Sequence, residues 1–379
     1  MKVLVLGMTE NYGGVESFIM NYYRRFNHSK VIFDFLTNTF QPIAYESELK
    51  KYGCHIYRIV KKSSNYFEYH KAVNHFFKVH AREYEVIWQN ANILSNIDYL
   101  KLAKKYGIKI RIIHSHNTQN IYRGYIRIIR GLMHKRNKKR IDSYANIFWA
   151  CSESASKFFY TDKIRKKARI IPNAINISDV TFSKDKRKKI RNSYNLAKNY
   201  VIGNIGRLSV QKNQTFTLNV FKRALKIEPK LKLILVGDGE KKDALITQIN
   251  EMGLNKNVIL TGTRKDIGAL LSAFDLFFFP SLFEGLSVAI LEAQANGVPI
   301  LSSTGAISFE DEINKNVKTL DLKQDTEQLW AETLVKMARQ SKRVSPKETR
   351  YNISKAGFNI SIESEKLEKI FLSFSGKEN

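Results

Sequence analysis

Short β-branched or aromatic runs alternate with longer amphipathic stretches along most of this chain, and that rhythm restricts the fold more than any single motif. In the first half the runs are Lys2–Gly7, Val31–Leu36, His55–Val60, Glu85–Gln89, Lys109–Ser115, Asn146–Ser152 and Arg169–Ile171. Helical stretches lie between most of them, notably Val15–Phe26, Tyr66–His80, Leu94–Tyr106 and Ile121–Ile141. The pattern predicts a parallel sheet wrapped by helices. A segment rich in Lys and Arg, Phe182–Asn199, is expected to hold a short helix and the interdomain connection. The alternation then restarts, with strands at Tyr200–Gly206, Leu231–Gly237, Val258–Thr261, Leu276–Phe279 and Pro299–Ser302 and helices at Gln214–Ile227, Glu240–Met252, Asp266–Ala273 and Ser287–Asn296. The expected architecture is α/β: two doubly wound, Rossmann-like domains facing across a cleft, with ligands at the carboxyl ends of the strands. Their expected extents are residues 1–180 and 181–355. In the tail, Ile362, Leu367, Ile370, Phe371 and Phe374 lie on roughly one helical face, which suits a terminal helix, within 356–379, crossing back to the first domain.

A chain of 379 residues is long enough for two cores, and 43% hydrophobic content with six prolines excludes a disordered protein. The apolar run after Lys2 is too short for a signal sequence and reads as a buried first strand. No stretch approaches the roughly 18 apolar residues of a membrane span. Cys54 and Cys151 show neither a disulfide framework nor metal-ligand spacing, which suits a reducing cytoplasm. Charge is the outlier: the net value of +28 predicts attraction to a polyanion, either nucleic acid or an anionic membrane.

The loop Phe283-Glu284-Gly285-Leu286-Ser287 joins a predicted strand to a predicted helix that carries Glu292. Amides without carbonyl partners at such a helix start form an anion site, although an acidic residue at a helix N-terminus is also ordinary. Gly206-Arg207 and Lys212-Asn213 end another strand, where a guanidinium and an ammonium suit a diphosphate or are simply solvated. Gly13-Gly14, Gly237-Asp238-Gly239 and Gly262-Thr263-Arg264 close further strands, as ligand contacts or as plain turns. His114-Ser115-His116-Asn117 is a polar strand end suited to line a cleft, where a histidine can bond a substrate hydroxyl. It lacks the Cys or carboxylate partners a metal would need. The stretch Tyr122–Ile141 combines Arg123, Arg127, Arg130, Lys135 and Arg136 with Tyr125, Ile126, Ile128, Ile129, Leu132 and Met133. A basic amphipathic helix of this kind suits an anionic bilayer, or else keeps its apolar side in the core. No nucleic-acid-binding module is recognisable.

Taken in order, these motifs, together with Cys151-Ser152-Glu153-Ser154 and Ile171-Pro172-Asn173-Ala174-Ile175, resemble the retaining, nucleotide-sugar-dependent glycosyltransferases of family four, also called glycosyl transferases group 1. The resemblance spans residues ~7–300 and implies the GT-B architecture. It departs from the family pattern at Ala174, where glycine is usual, and in Thr304–Glu312, which lacks a Gly-Gly pair. The resemblance implies that Arg207 and Lys212 hold the donor diphosphate, helped by the amides of Gly285, Leu286 and Ser287. It gives Glu292 the ribose, Glu284 the transferred sugar, and the backbone near Thr263 and Arg264 the base. Gly13, Gly14 and Gly237 would admit the donor. His116, with His114 second and Asn117 beside them, would meet the sugar or acceptor. No metal or cofactor is implied, because Arg and Lys neutralise the leaving group. The implied donor is a nucleotide-sugar, UDP-linked. The acceptor expected is a lipid-linked or saccharide molecule of bacterial surface polysaccharide assembly; the basic surface of the first domain fits a lipid-linked, phosphate-bearing one, used by a cytoplasmic enzyme peripheral to the inner face of the membrane. Two other classes compete: a non-catalytic protein of this scaffold binding nucleic acid, and an epimerase acting on a free nucleotide-sugar.

Overall fold

The computed structural model describes residues 1–119, 124–307, 312–374 and 376. The chain divides into two compact units, Met1–Ala174 with Ile360–Asn379, and Ile175–Asn359.

The first unit is built on β1 (Lys2–Leu6), β2 (Ile32–Thr37), β3 (Ile56–Arg58), β4 (Val86–Ala91), β5 (Ile110–Ser115), β6 (Ile147–Ala150) and β7 (Arg169–Ile170). They pair in parallel in the order β3-β2-β1-β4-β5-β6-β7. Helices α1 (Gly14–Tyr23), α2 (Glu46–Lys51), α3 (Tyr66–His80), α4 (Asp98–Lys105), α5 (Gly124–Lys138), α6 (Glu153–Phe159) and α7 (Asp162–Arg165) connect them. Side chains alternate across the sheet, so a strand covered on both sides must be apolar throughout. Val3, Val5 and Trp88 accordingly enter one core, and Leu4, Leu6 and Ile87 the other.

The second unit repeats the plan with β8 (Tyr200–Ile205), β9 (Leu231–Val236), β10 (Val258–Leu260), β11 (Leu276–Phe279), β12 (Ile300–Ser303) and β13 (Val317–Leu320). Their order is β10-β9-β8-β11-β12-β13, again parallel. Its helices are α8 (Ile177–Val180), α9 (Lys184–Ser193), α10 (Gln214–Ile227), α11 (Lys242–Glu251), α12 (Ile267–Ala273), α13 (Val288–Asn296), α14 (Glu327–Gln340) and α15 (Pro346–Lys355). The basic segment 182–199 lies within this unit. There α9 sends Arg187 to Asp275 at 2.5 Å and Arg191 to the same carboxylate.

The last helix, α16 (Ile360–Ser373), belongs to the first unit. Phe371 packs on Phe33, Trp88 and Trp149 with ring centroids 5.6, 5.5 and 5.6 Å away. Ile362, expected on that face, is exposed. The buried positions are 360, 364, 367 and 371, and a residue two places from 360 and 364 points the opposite way.

In both sheets the winding reverses beside the first strand, between β1 and β4 and between β8 and β11. Crevices open at the carboxyl ends of strands at such reversals.

Candidate active site

Because β8 and β11 are neighbours, the loops that follow them emerge together at the reversal of the second sheet. There Lys212 Nζ lies 2.8 Å from Glu284 Oε1, with the two side chains only 17% and 9% exposed. Ser281 Oγ sits 2.5 Å from the same oxygen. Bonds to backbone carbonyls lock the loops together: the Leu282 amide donates to Gln211 O at 2.8 Å, and the side chains donate from Gln211 Nε2 to Phe283 O at 2.9 Å and from Asn213 Nδ2 to Pro280 O at 3.1 Å. The Lys212 ammonium also lies 4.6 Å from the Phe279 ring centroid, a cation–π contact that further fixes it.

The Glu284 amide donates to Gly305 O at 3.0 Å and is therefore occupied. Those of Gly285, Leu286 and Ser287 bond no acceptor among the described residues, and the helix's own bonds begin with Leu291 donating to Ser287 O. Amides without a partner among the described residues thus lie at the start of α13, in the loop of the Lys212–Glu284 pair, an arrangement that attracts an anion.

Glu292, on α13, and Arg264 face a separate cavity of about 820 Å³, lined also by Asp179, Lys186, Lys189 and Tyr194. Burial, with Asp179 adding repulsion, pushes the Glu292 carboxyl from its ordinary 4.5 up to about 7. Arg264 is held by two bonds to Asp266, at 2.8 and 2.7 Å. Glu284 does not line this cavity.

In the first unit, His116 Nε2 lies 2.8 Å from Asn90 Oδ1, while Asn90 Nδ2 donates to Leu6 O at 3.1 Å. The second bond fixes the amide orientation, so His116 carries its proton on Nε2 and presents Nδ1 as an acceptor. Desolvation lowers its pKa to about 3, which keeps the ring neutral.

The family comparison bears on residues 186–358, which match the model of the glycosyl transferases group 1. Residues 186–358 belong to this family. It is 29% identical over 335 residues to EpsF of Bacillus subtilis (strain 168), covering 86% of this chain and 85% of that protein. It is 25% identical over 381 residues to the capsular polysaccharide biosynthesis glycosyltransferase CapH of Staphylococcus aureus, covering 98% and 99%. The crystal structure of Anabaena HepE in complex with UDP superimposes with a TM-score of 0.77 at 18% identity, over 98% of this chain and all of that one. The fold is therefore GT-B.

Several residues expected to bind ligand in this glycosyltransferase have another task. His114 has no exposed surface and lies tilted against His116, 4.2 Å between ring centroids, so it cannot touch a sugar. Gly237, at φ +137°, leaves no room for a Cβ, which would come within 2.0 Å of Gly206 O, and its amide is spent on Gly262 O at 2.9 Å. Its glycine serves loop packing. Gly13 makes room for the buried Glu16, whose Oε2 a Cβ would approach to 2.7 Å, whereas Gly14 faces open space. Arg207 is 72% exposed and pairs with Glu240 at 3.1 Å, apart from the Lys212–Glu284 pair. Thr263 is exposed, and Asn117 Oδ1 accepts from the Thr118 amide at 3.1 Å.

The basic helix α5 shows the reverse of core packing. Tyr125 (75%), Ile126, Ile128, Ile129, Leu132 (63%) and Met133 are all exposed. Polar anchors hold the helix instead: His134 Nδ1 accepts from the Leu94 amide at 3.1 Å, and Asn137 Nδ2 donates to Leu94 O at 2.7 Å. Arg127, Lys135 and Arg136 are exposed beside the apolar residues, Arg130 is half-buried, and Arg123 lies outside the described residues. Among the described residues no helix is long and apolar enough to cross a membrane, and no three His, Cys, Asp or Glu side chains cluster as a metal site.

Sequence reasoning missed Ser281, Gln89 and Asn90. The signal for the last two was available: polar residues ending an otherwise apolar buried strand.

Proposed function

We propose that this glycosyltransferase moves a sugar from a UDP-linked donor, with retention at the anomeric carbon, to a lipid-linked, phosphate-bearing acceptor in the assembly of a surface polysaccharide. The Lys212–Glu284 pair, in the loop that leads into α13, carries the proposal. An arriving diphosphate offers Lys212 a stronger partner than one carboxylate and can accept from the amides at the start of α13. Glu284, released, is then an acceptor for hydroxyls of the transferred sugar. Arg207, on an exposed side chain, swings from Glu240 to the same phosphates. Glu292 takes the ribose hydroxyls, and the Arg264 loop flanks the base. His116, neutral, accepts a hydroxyl through Nδ1.

As the anomeric C–O bond breaks, its electron pair goes to the β-phosphate, and Lys212, Arg207 and the amides stabilise that charge. The acceptor hydroxyl attacks from the same face and gives its proton to the departing phosphate. No enzyme nucleophile takes part. UDP appears here because HepE, of like fold, was crystallised with it. A role in surface polysaccharide follows the name of CapH. The exposed apolar and basic side chains of α5 support a peripheral position on the inner face of the cell membrane, where a lipid-linked acceptor lies.

The test is transfer of label from UDP-sugars into the organic phase of a bacterial lipid extract. Label in lipid, lost in Lys212→Met, supports the proposal. Release of free sugar or an epimerised nucleotide-sugar at the same rate without lipid contradicts it.

A further inference from the structure

At the amino ends of β12 and β13, the end of the second sheet away from the Lys212–Glu284 loops, lies a cavity of about 410 Å³. Four lysines line it: Lys315 before β13, Lys318 on that strand, Lys336 on α14 and Lys342 just past that helix. All four are exposed, no carboxylate lines the cavity, and none of the four has an ion pair among the described residues. Neighbouring cations of the same unit are matched: Arg339 of α14 lies 2.7 Å from Glu228, and Arg223 of α10 lies 2.8 Å from Glu327. Ordinary causes account for single members of the cluster. A lysine on an edge strand such as β13 discourages strand pairing. A helix end favours a cation, a place that Arg339 already takes on α14. Neither cause explains why lysines from a strand, a helix and the segment after it converge on one concavity.

Like charges around a concave wall repel one another and focus a positive potential into it, which an anion relieves. Ammonium groups act on phosphate as compact point charges without a fixed fork, so several of them can share a chain of phosphates. The rest of the lining selects what carries the phosphates. Val317, Met337 and Pro299 give the wall an apolar part, and Thr333 and Gln340 add neutral hydrogen-bonding groups, the mixture that small-molecule sites of this volume use. Asn316, also in the lining, spends Nδ2 on Gly297 O at 2.9 Å, and its buried Oδ1 has no partner among the described residues. Buried acceptors are nearly always satisfied, so this wall lacks a donor, which a hydroxyl or an N–H supplies and an ionised phosphate does not. We propose that this cavity binds a nucleoside triphosphate, its phosphates among the four lysines and its nucleoside against Val317 and Met337, with a hydroxyl or N–H given to Asn316. The cavity shares no residue with the Lys212–Glu284 pair or with the cavity of Glu292, and the assignment does not rest on the transferase function.

Isothermal titration of the full chain with magnesium-free ATP, and with tripolyphosphate as the bare phosphate chain, tests this. The titrations are run in Lys212→Met as well as in wild type, so that ATP held by the donor loops is told apart. ATP should bind both proteins, and tripolyphosphate should bind more weakly than ATP. Adding Lys318→Met with Lys336→Met to either should weaken ATP by about tenfold or more, the loss of two charge-assisted contacts. Both side chains are exposed, so the melting temperature should not change. Lys222→Met with Lys226→Met removes the same charge from exposed positions of α10 and should leave ATP binding as it is. No ATP binding, binding that Lys212→Met alone abolishes, or equal binding with and without Lys318 and Lys336 would overturn the assignment. So would an equal loss in the α10 variant, or tripolyphosphate binding as tightly as ATP. ATP binding that follows Lys318 and Lys336, in a protein that does not bind UDP, would support the cavity and sink the transferase function instead.

Discussion

Lys212 Nζ and Glu284 Oε1 are 2.8 Å apart although 72 residues separate them in the chain. The contact exists because β8 and β11 are sheet neighbours, and it neutralises two half-buried charges at the place a diphosphate is expected to occupy. Lys212→Met leaves the carboxylate without its cation and should destabilise the second unit by about 1–3 kcal/mol, while lowering transfer by about 10²–10³-fold. Adding Glu284→Gln should restore part of the stability and none of the activity. Urea unfolding of the two single variants and the double variant measures the coupling. Additive losses of stability would show that the pair is not formed.

Glu292 sets a pH dependence. Its folded value of about 7 lies above the ordinary 4.5, so the folded state holds a proton that the unfolded state has released between these values. The stabilisation from this group is therefore complete below the unfolded value and is lost as pH rises through about 7. Glu292→Gln, which cannot ionise, should melt higher than wild type at about pH 8 and no higher at about pH 4.5. UDP affinity should move oppositely in wild type, falling as pH drops through about 7, since the ribose hydroxyls need the carboxylate as acceptor. A pH-independent melting difference would contradict the shifted carboxyl.

Helix α5 should behave as a lipid-facing element. Ile128→Gln with Leu132→Gln, both exposed, should leave the melting temperature unchanged and lower recovery with anionic vesicles in flotation by about tenfold or more. Equal recovery of wild type with neutral and anionic lipid at low salt would rule the surface out.

Two glycines separate packing from binding. Gly237→Ala forces a Cβ against Gly206 O from a backbone that L-residues rarely adopt, and should cost about 2–4 kcal/mol of stability. Gly14→Ala meets nothing in the protein. It should leave stability intact and weaken donor binding only if the donor approaches that backbone. Calorimetry of both variants, with and without UDP, makes the distinction.

The fold was largely legible from periodicity. Tyr66–His80, Gln214–Ile227 and Leu276–Phe279 have the bounds expected from composition, since each is a long amphipathic or wholly apolar run. Short elements such as α2, α6 and β13 carry too few residues to show a period. The site was legible only as a set of strand-end loops. Which loops meet depends on strand order, and that is a tertiary fact. His114 illustrates the limit: two residues before the half-buried His116 on the same strand end, it falls behind Phe18 and Trp88 with ring centroids 5.0 and 6.0 Å away. The α5 periodicity was read correctly, but an apolar stripe has the same sequence whether protein or lipid covers it.

A thermal-shift panel of nucleotide-sugars tests most directly whether the loops after β8 and β11 bind a UDP-sugar, because a ligand specific to the folded state raises the melting temperature by mass action. One or more UDP-sugars should stabilise wild type, and Lys212→Met and Glu292→Gln should each lose most of that shift. No stabilisation by any nucleotide-sugar, alongside salt-sensitive stabilisation by random oligonucleotides, would contradict the claim.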